Sequence, residues 1–137
     1  SPIFDTRTVI QYNENVESLY HSAFFPSIVF FELLATSIDE STYQKYSRWH
    51  NALKKADRML SPTENDWWET AKTIRRMYLN KIAQESKLKT LRMDSLIARL
   101  AVKHDGFVVT VDFDDFELIK KAIPNLQVIS AAEFFGE

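Results

Sequence analysis

Phe107-Val108-Val109-Thr110-Val111-Asp112-Phe113-Asp114-Asp115-Phe116 is the stretch that decides the fold. Its first five residues are aromatic or β-branched, and the run is too short for a buried helix. Runs of that kind suit strands of a parallel sheet covered on both faces. The run ends on an acid, Asp112, and a helical pattern over about 113–122 follows, stopped before Pro124. Beyond it, Leu126-Gln127-Val128-Ile129 is a second apolar run. On the upstream side the spacing predicts a helix from Asp94 to His104, with Leu96, Ile97, Leu100 and Ala101 inward. Gly106 stands where its C-terminal cap belongs.

Farther upstream lie two more short runs, Ile3-Phe4 ending at Asp5 and Ala23-Phe24-Phe25-Pro26 ending at Ser27. Two longer helices are predicted between them and Asp94. One covers about 41–60, opens on Ser41-Thr42-Tyr43-Gln44, and faces inward through Tyr46, Trp49, Leu53, Ala56 and Leu60. The other covers about 62–86 and opens on Ser61-Pro62-Thr63-Glu64, with Ser61 as cap and Pro62 at the first helical position. Its apolar stripe is Trp67, Ala71, Ile74, Tyr78 and Ile82, so Trp67 and Trp49 are expected in the core and Trp68 at the surface. No strand is read between these helices, and a helical hairpin projecting from or capping the sheet is the expectation. The alternation of strands and helices predicts one α/β domain over residues 1–137 with a mostly parallel sheet.

Composition narrows the chemistry. At 45% hydrophobic residues, with 10 Phe, 5 Tyr and 3 Trp, the chain is too apolar to remain disordered. Cysteine is absent, which removes disulfides, thiolate zinc sites and thiol nucleophiles, and fits a reducing, cytoplasmic location. No secretory signal is read at the start. The 2 glycines are too few for a Walker loop or a dinucleotide fingerprint. The longest apolar stretch, near Ile28–Ala35, contains Glu32 and falls short of the ~20 residues a membrane span needs, so no membrane is expected as a partner. His21, His50 and His104 are scattered without metal or general-base spacing.

Net charge is −2, but residues 45–92 hold 12 Lys/Arg against 5 Asp/Glu. Most such runs are solvated helix faces. If this one binds a polyanion, Arg48, Lys54, Lys55, Arg58, Lys72, Arg75 and Arg76 are the track, with the exposed Trp68 available for contact.

Ligands of open α/β sheets sit outside the carboxyl ends of the strands. Asp5 and Asp112 fall there, Asp94 opens a helix, and Glu32 lies within the apolar run that follows the second strand. Asp5 could cap the next helix, Asp94 could be an ordinary N-cap, and Asp112 could serve turn and helix-dipole chemistry. Glu32 is harder to explain so, because an ionised carboxylate in an apolar run is costly unless paired. Brought together, the four would repel one another and call for a hard divalent cation, Mg²⁺ or Mn²⁺.

Four segments, in order, carry a resemblance. Ile3-Phe4-Asp5-Thr6 with Val9-Ile10, Pro26-Ser27-Ile28-Val29-Phe30-Phe31-Glu32-Leu33-Leu34, Asp94-Ser95-Leu96-Ile97-Ala98, and Val109-Thr110-Val111-Asp112-Phe113-Asp114-Asp115-Phe116 together resemble the PIN-domain family, especially VapC-type ribonuclease toxins of toxin–antitoxin pairs. The tail Val128-Ile129-Ser130-Ala131-Ala132-Glu133-Phe134 is also similar, so the likeness spans nearly the whole chain. It implies a three-layer α/β/α domain and a Mg²⁺- or Mn²⁺-dependent endonuclease that cuts RNA to leave a 3′-hydroxyl and a 5′-phosphate. Asp5, Glu32, Asp94 and Asp112 would be its acidic quartet, Asp115 a further ligand, and Thr6 and Thr110 supporting hydroxyls. It also implies a homodimer inhibited by a small antitoxin. Arg7, Ser95 and Arg99 depart from the family pattern; Arg7 stands where a small residue is usual and would hold an acid or an RNA phosphate. A non-catalytic PIN-like module that binds RNA or protein is the other expectation. A phosphoacceptor receiver domain is disfavoured, because only Asp5 follows the first strand.

Overall fold

The computed structural model describes all residues, 1–137. The chain runs β1 (Pro2–Phe4), α1 (Thr6–Gln11), α2 (Asn13–Leu19), a 3₁₀ turn at Tyr20–Ser22, β2 (Phe25–Pro26), α3 (Ser27–Ala35) and α4 (Glu40–Lys55). It continues through β3 (Met59–Leu60), α5 (Glu64–Leu79), α6 (Glu85–Thr90), α7 (Arg92–Lys103), β4 (Phe107–Thr110), α8 (Phe113–Ala122), β5 (Val128–Ser130) and α9 (Ala131–Phe134).

β1, β4 and β5 form one parallel sheet in the order β1-β4-β5, and β2 pairs with β3, also in parallel. A parallel bridge from Ile3 to Phe24 joins the two pieces. The full order is therefore β3-β2-β1-β4-β5, which reverses direction between β1 and β4. Right-handed crossovers then put α1–α4 on one face and α5–α8 on the other. The packing agrees: α1 lies on α3 and α3 on α4, while α5 and α7 pack together and both meet α8. This is a PIN-like three-layer α/β/α architecture. The two central strands are covered on both faces, and Ile3, Phe4, Val108 and Val109 are wholly inaccessible to solvent. Each large apolar side chain so buried contributes about 1.5–3 kcal/mol.

Several expectations need correction. The helical hairpin is not present, because Met59-Leu60 is a strand. It pairs with Phe25-Pro26, and the Phe25 amide donates to the Arg58 carbonyl at 3.0 Å. Two residues are too few to register as a periodic run, so the pairing partner decides the conformation. The first long helix is capped by Asp39, which accepts from the Thr42 amide, rather than by Ser41. That amide and the hydroxyls of Ser41 and Thr42 hold the Asp39 carboxyl down at about 2. The second is capped by Thr63 with Asp66 rather than by Ser61 with Glu64. The predicted 62–86 helix ends early: α5 stops at Leu79, Ile82 lies beyond it, and α6 is a separate helix that only begins within the predicted span.

The buried face of α5 is also not the apolar stripe. Trp67 is 47% exposed and Tyr78 55%, while Asp66, Thr70, Thr73 and Met77 point inward. Asp66, wholly buried, meets Arg99 and Lys103 of α7, both at 2.9 Å. That ion cluster rotates α5 so that its polar face is the packed one. Trp49 is buried and Trp68 is exposed, as expected.

Three helices end on a non-glycine residue in the left-handed region: Asp57 (φ 57°), Lys81 (φ 55°) and Asp105 (φ 54°). In each, the next amide reaches back five residues, as from Gly106 to the Ala101 carbonyl at 2.8 Å. Asp105, not Gly106, is therefore the left-handed cap. Gly106 is small for another reason: a Cβ there would lie 2.8 Å from Ile3 Cδ1 and 3.0 Å from the Ser1 carbonyl oxygen. Because left-handed backbone costs about 1 kcal/mol for a side-chain-bearing residue, exposed Lys81→Gly is expected to stabilise the chain by roughly 0.5–1 kcal/mol. Urea melts would read this as a raised midpoint at unchanged slope.

Candidate functional site

The strand order reverses between β1 and β4, the place where open α/β sheets bind ligands. Asp5 directly follows β1 and Asp112 follows β4 by two residues. Asp5 is 2% exposed. Although it stands at the N-cap of α1, its carboxylate accepts no backbone amide of that helix. Thr8 Oγ1 donates to one oxygen, and Thr110 Oγ1 donates to the other at 2.9 Å. Each hydroxyl in turn accepts a main-chain amide: Val111 donates to Thr8 Oγ1 at 2.9 Å and Asp112 to Thr110 Oγ1 at 2.8 Å. One buried carboxylate thus orders two hydroxyls, and they order the loop that carries Asp112.

Glu32 comes from the middle of α3, where Thr6 Oγ1 donates to its Oε1 at 2.7 Å. Asp94 is the third residue of α7, so it is not the N-cap. Its carboxylate, mostly covered, makes no hydrogen bond or ion pair with the rest of the chain. Asp112 is at the N-cap of α8 without capping it through its side chain. It is paired instead with the Arg7 guanidinium. Asp115, in the first turn of α8, is 2.6 Å from Lys87 Nζ.

Asp5 and Asp94 are therefore not explained as helix caps, and Asp112, at the N-terminus of α8 where a helix-dipole role remains open to it, is engaged by Arg7. All five acids, with Thr6, Arg7, Lys89, Thr90 and Met93, line one cleft of about 270 Å³. Burial pushes the Asp5 carboxyl up to about 6, against the pull of the Thr8 and Thr110 hydroxyls. Burial and then the neighbouring Asp5, Asp112, Asp115 and Glu32 push Asp94 up to about 7. Carboxylates crowded in this way need positive charge. Arg7 and Lys87 supply part of it from within the chain. Oxygen-only donors of this kind suit a hard divalent cation, and the cluster fits one by its chemistry. No three of the acids are grouped as ready-made metal ligands, and Arg7 and Lys87 hold two of the five.

The fold is shared with chains of two solved protein–DNA complexes. A chain in a structure of FitAB bound to an IR36 DNA fragment matches with 18% identity and a TM-score of 0.61, over 96% of this chain and 95% of the other. A chain in the crystal structure of VapBC2 from Rickettsia felis, bound to a DNA fragment from their promoter, matches with 18% identity and a TM-score of 0.59, over 94% and 97%. No protein-family model matches the chain, and no curated protein does.

None of the residues proposed from sequence for a basic track lines the cleft. Arg48, Lys54 and Lys55 are exposed on α4. Arg58 is engaged: its Nε donates to the Ala23 carbonyl at 2.7 Å and its guanidinium lies 4.2 Å from the Phe24 ring centre. On α5, Lys72 is beside Glu69 at 3.3 Å and Arg76 donates to Thr73 Oγ1 at 3.1 Å, while Arg75 lines a separate groove. None of the three histidines lines the cleft. Three residues of the site escaped sequence reasoning. Thr8 had a signal, since it lies one helical turn from Asp5. Lys87 and Lys89 had none, because they fall beyond the predicted 62–86 helix in a stretch to which no element was assigned.

Proposed function

We propose that the chain is a metal-dependent ribonuclease and the toxin of a toxin–antitoxin pair. One observation carries this reading: Asp94, largely buried and unpaired, is held against four other carboxylates at the strand-order reversal. A folded chain tolerates such repulsion where the charges serve a ligand. Asp5, Asp94 and Asp112 would hold Mg²⁺ or Mn²⁺, with Glu32 and Asp115 beside them. The bound ion would lower the pKa of a water and offset charge growing on the phosphoryl oxygens.

The chain's own residues have distinct tasks. Asp5 holds Thr8 and Thr110, and so the loop before Asp112, in place. Thr6 fixes the Glu32 carboxylate, which would orient a water. Arg7, exposed and paired with Asp112, would exchange it for an RNA phosphate. The resemblance to VapC-type toxins and the shared fold with FitAB and VapBC2 chains support a small antitoxin as partner, and the same resemblance is the basis for a homodimer and a cytoplasmic location. No helix is long and apolar enough to cross a membrane.

Purified protein with Mn²⁺ is expected to cut structured RNA, leaving 5′-phosphates. Asp5→Asn is expected to lower the rate by at least about 100-fold, with circular dichroism unchanged. Equal rates in wild type and variant would mean a contaminating nuclease and defeat the assignment. The second reading, a binding module without turnover, is favoured by Arg7 and Lys87 already neutralising Asp112 and Asp115. Calorimetry separates the two, since that module would show no heat of Mn²⁺ binding that Asp94→Asn removes.

A further inference from the structure

An acidic cleft repels the polyanion it is proposed to cut, so the substrate needs cationic attachments within about one Debye length, ~10 Å. The structure provides a set of which only Arg75 belongs to the basic track read from sequence. Lys89 of α6 lines the acidic cleft, and the same residue lines a second groove beside it. That groove has a floor of Ile74 and Leu88 and walls of Arg75, Tyr78, Glu85 and Arg92. Three cations face one anion there. Tyr78 is 55% exposed. No hydrogen bond or ion pair within the chain engages the side chains of Arg75, Lys89 or Arg92. An exposed aromatic ring flanked by free cations is the pattern that takes single-stranded nucleic acid, the ring stacking on a base and the cations on phosphates.

We propose that this groove is the binding track for the single-stranded flank of the RNA whose scissile phosphate lies in the acidic cleft. One base stacks on Tyr78, and Lys89, Arg92 and Arg75 take successive phosphates. Lys89, shared between the two cavities, hands the backbone from one to the other. The proposal rests on the nuclease reading for the identity of the ligand. It explains why a chain of net charge −2 attracts RNA without an overall basic surface.

The test uses metal-free protein in chelator, so that binding is read without cleavage. Fluorescence anisotropy with a labelled oligouridylate is expected to show affinity falling roughly 5- to 100-fold in Tyr78→Ala, the range of one lost stacking contact. Tyr78→Phe should restore it. Arg92→Ala should flatten the plot of log affinity against log salt by about 0.7, one phosphate's share for a single strand. Lys121→Ala, on the exposed far side of α8, should leave that slope alone. In cleavage assays Tyr78→Ala should raise KM and leave kcat within about twofold. If Tyr78→Ala and Arg92→Ala bind like wild type, the groove is not the track. If Tyr78→Ala instead shifts the sedimentation of the free protein at unchanged RNA affinity, the groove is a protein interface and the proposal falls. The two readings fail separately. Tyr78-dependent binding with no Mn²⁺-dependent cleavage defeats the nuclease and leaves the groove. Asp94-dependent cleavage with KM unmoved by Tyr78→Ala does the reverse.

Discussion

Asp94→Asn is expected to abolish RNA cleavage and at the same time raise the melting temperature at about pH 8 by on the order of 10 °C. Burial and the neighbouring carboxylates push the Asp94 carboxyl up to about 7 in the folded chain, well above its ordinary value. A folded pKa above the unfolded one means that the native state binds the proton more tightly. Stability from this group is therefore fully present below about pH 4 and is lost as pH rises through about 7. At about pH 8 the ionised group, repelled by its neighbours, destabilises by roughly 2–4 kcal/mol once partial exposure is discounted. Asparagine keeps the shape and removes the charge, so the gain should be large at about pH 8 and vanish by about pH 4. Mn²⁺ should raise the melting temperature of the wild type and leave the variant unmoved, because bound cation stabilises in proportion to its occupancy. A variant no more stable than wild type at high pH would show that the carboxylates do not share one low-dielectric site.

Asp66→Ala has the largest effect in the opposite direction, a loss of about 3 kcal/mol. Asp66 is fully buried and accepts from the Thr63 amide at 2.8 Å, from Arg99 at 2.9 Å and from Lys103 at 2.9 Å. Burial alone would raise its pKa, but the Thr63 amide, Lys103 and Arg99 hold it well below the usual carboxylate range. Truncation removes the capping box of α5 and leaves two cations against a covered surface. Both cations are partly exposed, which keeps the loss below that of a fully buried pair. The pH dependence reverses that of Asp94: a depressed pKa gives stability that is present above about pH 4 and lost as acid protonates the group. With Asp5 and Asp94 acting from the other side, wild-type stability should peak near about pH 4–5, below the usual range. Chemical denaturation across pH reads both slopes. A shallower fall in Asp66→Ala than in wild type below about pH 4 isolates this residue's share, Asp39 supplying what remains.

How far the site was legible follows from how each residue type acts. Asp5, Glu32, Asp94 and Asp112 were visible because acids at strand ends, or inside an apolar run, break the local pattern that propensity would produce. Thr110 and Thr6 came with the resemblance. Lys87 acts only through a partner distant in the chain, Asp115, and Lys89 enters the cleft only through the packing of α6. The same holds for Met59-Leu60, a strand created by pairing with Phe25-Pro26. It holds again for Trp67, which the stripe put inside and the Asp66–Arg99–Lys103 cluster turned outward.

From sequence alone came the α/β alternation, the four strand runs that end or begin at chemistry-bearing residues, and the acids themselves. These are local properties, written in hydrophobic period and residue type, and no folding is needed to read them. Tertiary structure alone decided that β1 and β4 lie side by side where the strand order reverses, so that Asp5 and Asp112 meet. It also decided which cations stand between the acids, and which face of α5 is buried. Those outcomes depend on charges separated by up to about a hundred positions in the chain, whose energies exist only once the intervening water has been removed.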